Sequence, residues 1–445
     1  MADMISVYDT ISQGNTILIE NKAPELLQKR YFPTNEPADV FDSADVLLDF
    51  DNGDLEAGAF VSKGYQDGNT TTYFAKVVEP PRIGISDGID ATKKDRVLLE
   101  QLSRPVGNVV PSHADALNAL LRIKAMRLVK RGERSLAKMI VEVLTKNKIQ
   151  FQHATSPTDP TLVTVDIDYT KDGANPQIYN PSKNWGEEGA TPYEDVCGMV
   201  TKLMHNGGRA EDLLLAPKAW DLLRKDLDKN KIINNYTNQT DAYLKAEELH
   251  DAAVVGKISF GGIMLNVIIY NGAYRNSEGK MTPYLPDDFA CVLSPNCGKT
   301  LCGSVNLPRP AAMVMQNDLS VEIKTGKFVV SRYYDFNEQT VKVRVESNPL
   351  PCPAHIWGWI TLGKQVEADV SGLSNASVTQ PDISGGSIGL GQQEVIVKAN
   401  EGFTFAGGTA PTIDGEPMER VSDTEYKLTI IVEEPIAVAG AGVSE

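Results

Sequence analysis

The stretch from Ser112 to Asn147, SHADALNALLRIKAMRLVKRGERSLAKMIVEVLTKN, constrains the fold more than any other. It holds no proline and no β-rich run, and so predicts one long helix. At about 1.5 Å per residue it spans about 54 Å, well beyond the usual three turns. Pro111 and Ser112 mark its start, and Asp115, three residues after the Ser112 cap, makes a relative of the capping box. Leu117, Leu120, Leu121, Ala125, Leu128, Val129, Gly132, Leu136, Met139, Ile140 and Val143 recur at steps of three and four, which is one buried stripe. That spacing, interrupted at Gly132, suits burial against a sheet better than a sustained heptad seam. The other side carries Arg122, Lys124, Arg127, Lys130, Arg131, Arg134 and Lys138 against the single acid Glu133.

A basic row is out of character here, because the chain has a net charge of −16. The charge is also uneven. Residues 361–445 hold four bases and thirteen acids, a net −9, whereas the first 360 residues carry only −7. A shift in composition coincides with this break, and a domain boundary is expected near residue 360. The 445 residues are too many for one core, which implies two or three domains. No apolar run approaches the eighteen residues of a membrane span, so no membrane partner is expected. The start, MADMISVYDT, lacks a charged-then-apolar signal region, so the chain is expected to stay in the cytoplasm where it is made. Cys197, Cys291, Cys297, Cys302 and Cys352 read as reduced, mostly buried thiols.

Residues 1–50 alternate short apolar clusters, such as Ile17-Leu18-Ile19 and Val46-Leu47-Leu48, with breakers, and predict an arm draped over something else. Leu55 to Ser62 and Thr70 to Val78 read as two strands around a polar tip, a hairpin too marginal to stand without a supporting surface. Strands are expected at 149–152, 162–169, 213–215, 254–260, 263–270, 289–293, 321–324, 328–334 and 340–346, with helices at Pro192 to Asn206 and Pro217 to Leu227. The body is therefore α+β. After residue 360, Glu394 to Lys398, Gly402 to Phe405 and Tyr426 to Val432 sit between Gly, Pro and Asp turns, as in a small all-β sandwich, with Ala437 to Glu445 expected to fray.

Little chemistry is visible. Gly298-Lys299-Thr300 imitates the end of a phosphate-binding loop, but Leu293 stands where that motif needs glycine and Pro295 removes an amide donor. Cys291, Cys297 and Cys302 lack zinc-pair spacing and a nearby histidine. No nucleophile elbow or spaced histidine pair occurs, so no catalytic residue, metal ligand or cofactor is nominated. The basic helix face can neutralise phosphates without reading sequence, pair with a neighbour's acids, or simply be solvated. No aromatic residue interleaves it to stack bases.

Arm, hairpin, long helix, mixed α/β region and returning strands follow in an order that resembles the major capsid protein of lambda-like tailed phages. The similar stretches are YFPTNEPADVFDSADVLLDF, AFVSKGYQDG and VEPPRIG, then NWGEEGATPYEDV leading to LLLAPKAWDLL, then VIIYNGAYRNSEGKMTPYLPDDFACVLSP. They cover residues 1 to about 360. The resemblance implies the Hong Kong 97-type capsid fold: an N-terminal arm at 1–50, an extended hairpin loop within 51–86, a peripheral domain at 87–188 with 321–360, and an axial domain at 189–320. Phe60, Val61, Lys63, Tyr65, Tyr73 and Phe74 would then be inter-subunit hairpin residues. The implied function is the major head protein of a tailed double-stranded DNA phage, without enzymatic activity, self-assembling into hexamers and pentamers of an icosahedral shell. Implied partners are a separate scaffolding protein, since the arm begins almost at Met1, a portal, and packaged double-stranded DNA bound without sequence specificity. Assembly would occur in the host cytoplasm.

The departure from that family is the tail, residues 361–445, expected to be a fused immunoglobulin-like β domain. Its acidity places it on the outer shell face, in the role of a decoration protein or beside one. The competing readings are an encapsulin-type compartment of the same fold and a surface-binding adhesin that uses the tail.

Overall fold

The computed structural model describes residues 25–50, 74–89, 93–104, 112–156, 159–169, 177–229, 251–305, 327–335, 340–440 and 443–444, apart from 36, 44, 277, 356, 372, 374–375, 382–386, 401–402, 406–409 and 433. The early arm at 1–24, the hairpin from 51 to 73 and the strand expected at 321–324 lie outside the described residues.

The long helix is present as His113–Lys146. Its capping box closes as its residues require: the Ser112 hydroxyl accepts from the Asp115 amide at 3.2 Å, and the Ser112 amide donates to the Asp115 carboxylate at 3.2 Å. Asn147 ends it in the left-handed region, at φ 53°, and its amide donates to the Val143 carbonyl at 2.8 Å. Gly132 does not break the helix. An added Cβ there would lie 2.5 Å from the Phe328 ring, so the glycine is a slot for an aromatic side chain. Every member of the predicted apolar stripe is buried or half-buried.

Two sheets use this helix. The first is built on one long strand, Thr340–Pro353, whose first half pairs with both Val329–Asp335 and Ile83–Gly88, and whose second half pairs with Gly298–Gly303. Pro349, Pro351 and Pro353 fit within a strand because they alternate. Their hydrogen-free nitrogens all point away from Gly298–Gly303, the side on which the Pro351 carbonyl accepts from the Tyr169 hydroxyl at 2.7 Å. The strand expected at 340–346 therefore continues to Pro353.

The second sheet has six strands, in the order Ile178–Tyr179, Trp359–Leu362, Ala290–Leu293, Asp212–Leu215, Ile263–Tyr270 and Ala252–Phe260. Its central strands, DLLL and ACVL, are buried along their whole length, as befits a sheet covered on both faces. Helices Pro192–His205 and Pro217–Lys229 and the C-terminal end of the long helix pack on it. The Thr361 hydroxyl donates to the Leu144 carbonyl at 2.6 Å.

Two expectations for the first 50 residues change. Val46–Phe50 is a strand paired with Phe74–Val78, not loose arm. Leu26, Leu27, Tyr31 and Phe32 belong to the main core, so the arm's latter half drapes over its own body. Helix Lys93–Leu102 was not foreseen.

Beyond residue 364, a five-stranded and a four-stranded sheet share a second core containing Val395, Val397, Ile413, Tyr426 and Val438. Phe405 meets Tyr426 edge-on at 4.9 Å. The predicted fraying is corrected in part: Ile436–Ala439 is an inner strand, parallel to Gln365–Ser371, with Val438 fully buried. Alternation of two buried and two exposed residues over only four positions was too short to read as a strand.

Candidate functional site

The site of interest is not a cleft but the long helix and the joints that fix it. At its C-terminal end the arm enters the six-stranded sheet. Asp212 begins the DLLL strand with a fully buried side chain and accepts four hydrogen bonds. Arg30 Nε reaches Oδ2 at 2.7 Å and Arg30 Nη2 reaches Oδ1 at 3.0 Å. The Tyr31 hydroxyl donates to Oδ2 at 3.1 Å, and Asn266 Nδ2 to Oδ1 at 2.7 Å. The planar guanidinium matches the carboxylate in two parallel bonds, the geometry in which a buried charge is best compensated. The Asp212 bond raises the Arg30 pKa, and burial pushes the Tyr31 phenol up as well, so neither group titrates near neutrality. Sequence reasoning missed this joint. Its one signal was an acid heading an otherwise apolar strand, which demands a partner.

At the helix's other half, Lys93–Leu102 packs alongside and divides the seven predicted basic residues. Lys124 is a correction: it is buried, 2.8 Å from Asp95 and 3.4 Å from Asp87, and donates to the Gly88 carbonyl at 2.7 Å. It locks helix to helix to sheet and presents nothing outward. Successive 100° steps place Arg127, Arg131, Arg134 and Lys138 on one stripe and Arg122 on a different side. Arg127, Arg131 and Lys138 are exposed, while Lys130 and Arg134 are half-buried and engaged. Lys138 lies 4.0 Å from Glu142. The outward positive feature is therefore a short stripe centred on Arg127 and Arg131.

A second buried carboxylate, Glu346, sits in the sheet on this half of the helix. Its Oε1 takes Arg82 Nε at 3.1 Å, Arg82 Nη2, and Arg344 Nη2 at 2.8 Å. Its Oε2 has no hydrogen-bond partner among the described residues.

Of the hairpin residues, Phe60, Val61, Lys63, Tyr65 and Tyr73 lie outside the described residues, and Phe74 is described only as the first residue of its strand. Gly298-Lys299-Thr300 is part of a strand, with the Thr300 hydroxyl donating to the Phe32 carbonyl at 2.9 Å, so its backbone cannot wrap a phosphate. The cysteines are free thiols. Burial pushes Cys291 and Cys352 up to about 12, which keeps them protonated and poor metal ligands at neutral pH. Among the described residues, no helix is long and apolar enough to cross a membrane.

Solved structures are similar to this chain. A protein assigned as the capsid protein of an Escherichia coli CFT073 prophage is 16% identical, with a TM-score of 0.50 over 81% of this chain and 98% of that one. A phage-related protein of Bordetella bronchiseptica RB50 is 10% identical, with a TM-score of 0.42 over 80% and 95%. The capsid protein of cyanophage P-SCSP1u is 12% identical, with a TM-score of 0.40 over 79% and 91%. No curated protein matches the chain. The first of these structures establishes the capsid fold, an α+β arrangement of sheets around few helices. Residues 10–363 match the family model described as phage major capsid protein E, four-fifths of the chain and all of the body. The chain therefore belongs to the phage major capsid protein E family, and its role is that of a shell subunit in the virion.

Proposed function

We propose that many copies of this chain, in hexamers and pentamers, close an icosahedral shell around double-stranded DNA in the head of a tailed phage, and that the described joints make each subunit stiff enough to do so. The observation that carries the proposal is the capped helix His113–Lys146, tied at one half through Lys124 to Asp95 and packed at its C-terminal end on the sheet that Arg30 locks. It is the spine of a peripheral domain formed by 87–188 and 321–360. Residues 189–320 form most of the axial domain, those before Val46 the arm, those between Phe50 and Phe74 the extended loop, and those beyond Lys364 an immunoglobulin-like domain on the outer face. The paired stem Val46–Phe50 and Phe74–Val78 supports an extended loop between them, with Phe60, Val61, Lys63, Tyr65 and Tyr73 reaching a neighbour.

The subunit's role is structural rather than enzymatic. A separate scaffolding protein guides assembly in the host cytoplasm, a portal fills one vertex, and a decoration protein accompanies or is replaced by the tail. The Arg127–Arg131 stripe meets the acids of a neighbouring subunit, which an excess of 59 acids over 43 bases makes abundant.

Co-expression of the chain with its scaffold, viewed by negative-stain microscopy, tests this. Closed particles of uniform diameter are expected, and only soluble monomers or amorphous aggregate would overturn it. Deletion of Lys63 to Asn69 is expected to leave a soluble folded subunit that no longer closes particles, and a normal particle yield would refute the loop assignment.

A further inference from the structure

The tail follows the body almost without a linker. Trp359–Leu362 is a strand of the six-stranded sheet and Gln365–Ser371 is a strand of the tail's five-stranded sheet, so Gly363 and Lys364 alone connect them. Two residues cannot act as a flexible tether.

The loop that leads from Ile178–Tyr179 toward the helix at Pro192 is bonded to the tail at several points. Asn184 brackets the Gln365 backbone, its Oδ1 accepting from the amide at 2.8 Å and its Nδ2 donating to the carbonyl at 3.1 Å. Gln365 Nε2 returns a bond to the Pro181 carbonyl at 2.6 Å. Asn180 Nδ2 donates to the Leu390 carbonyl at 2.7 Å. Lys364 pairs with Asp288, beside the central strand of the six-stranded sheet, at 2.6 Å.

Packing at the joint is as tight as the bonding. A Cβ on Gly363 would lie 2.2 Å from Asn180 Oδ1 and 2.5 Å from Ile178 Cγ2, and a Cβ on Gly389 would lie 2.5 Å from Asn180 Nδ2. The Asn180 amide is wedged between two glycines, one on each side of the boundary. Domains in one chain ordinarily move relative to each other unless their interface prevents it.

We infer that this joint makes the tail and the six-stranded sheet a single rigid body, so that the tail has one fixed direction and turns with the sheet whenever the sheet turns. The inference concerns the single chain and stands apart from the shell reading. A second consequence concerns the tail's charge. Lys364, Lys398, Arg420 and Lys427, all four of its bases, are ion-paired, to Asp288, Glu425, Asp423 and Glu394. Glu367 and Asp369 are exposed on the strand that leaves the joint, so the tail carries them as a fixed acidic row.

The test is a pair of spin labels on the full-length unassembled chain in a Cys197→Ser background, at Lys225→Cys on helix Pro217–Lys229 and at Thr429→Cys in the tail, both exposed. A single narrow distance distribution is expected. With Asn180→Ala and Gln365→Ala added, the distribution is expected to roughly double in width. If that variant fails to fold, insertion of Gly-Gly-Ser after Gly363, which keeps every side chain, should broaden it in the same way. A broad distribution in the parent would overturn the inference, as would an unchanged width in whichever variant folds.

Discussion

Asp212 and Glu346 both have fully buried side chains, yet the regions around them are built differently. Asp212 has both oxygens saturated, by a guanidinium only 25% exposed and by two neutral donors. Glu346 has three donor atoms crowded on one oxygen and none on the other, and its cations Arg82 and Arg344 are 48% and 39% exposed. A buried charge removed from its partners is costly, whereas a cation that keeps much of its hydration gives up little. The arm's joint to the six-stranded sheet is therefore a permanent part of the core. The Glu346 cluster is a looser tie within a sheet that is held chiefly by its backbone ladder and by the long helix.

Substitutions at the two sites should separate accordingly. Arg30→Ala leaves the Asp212 charge with two of its four bonds and should cost about 3–5 kcal/mol, read from urea unfolding of the unassembled subunit. Glu346→Gln keeps an acceptor but removes the charge, and should cost about 1–2 kcal/mol because both cations are partly hydrated. Tyr31→Phe takes one neutral bond from a carboxylate that keeps three, at about 1 kcal/mol. Arg82→Ala leaves Arg344 in place and should cost under about 1 kcal/mol. Equal losses for Arg30→Ala and Arg82→Ala would break the comparison.

Local signals made much of the fold legible. The long helix, its Ser112 and Asn147 ends, the helices at 192 and 217, and the strands 263–270 and 213–215 all follow from periodicity, capping and apolar runs. The joints were not legible, because their partners lie far apart in the chain: Arg30 and Asp212 are separated by 182 residues. Lys124 illustrates the same limit. On a helical wheel it belongs with the basic residues, and the packing of Lys93–Leu102 together with strand Ile83–Gly88 makes it a core residue. The second half of Thr340–Pro353 was not legible either: a strand accommodates prolines at 349, 351 and 353 because all three nitrogens face away from the partner strand.

Arg127 and Arg131 extend the comparison to its limit, as exposed cations with no carboxylate partner among the described residues. Arg127→Glu with Arg131→Glu should move subunit stability by no more than about 0.5 kcal/mol, since neither side chain holds a carboxylate among the described residues. Arg131 is the better partner for this test than Arg134, which is half-buried and engaged. If the stripe meets a neighbour's acids, the reversed pair places like charges together, and closed particles should disappear while the subunit stays folded. Repulsion of this kind acts over about 10 Å at 0.1 M salt, so raising the salt should recover part of the particle yield. Particles formed in normal yield, but retaining DNA less well at low salt and with a shallower salt dependence than the parent, would instead assign the stripe to phosphate, because every phosphate left without its cation flattens the salt dependence of DNA binding by about one unit of slope. Stability unchanged with assembly abolished would show that the cations worth least to the folded chain are those on which the shell depends.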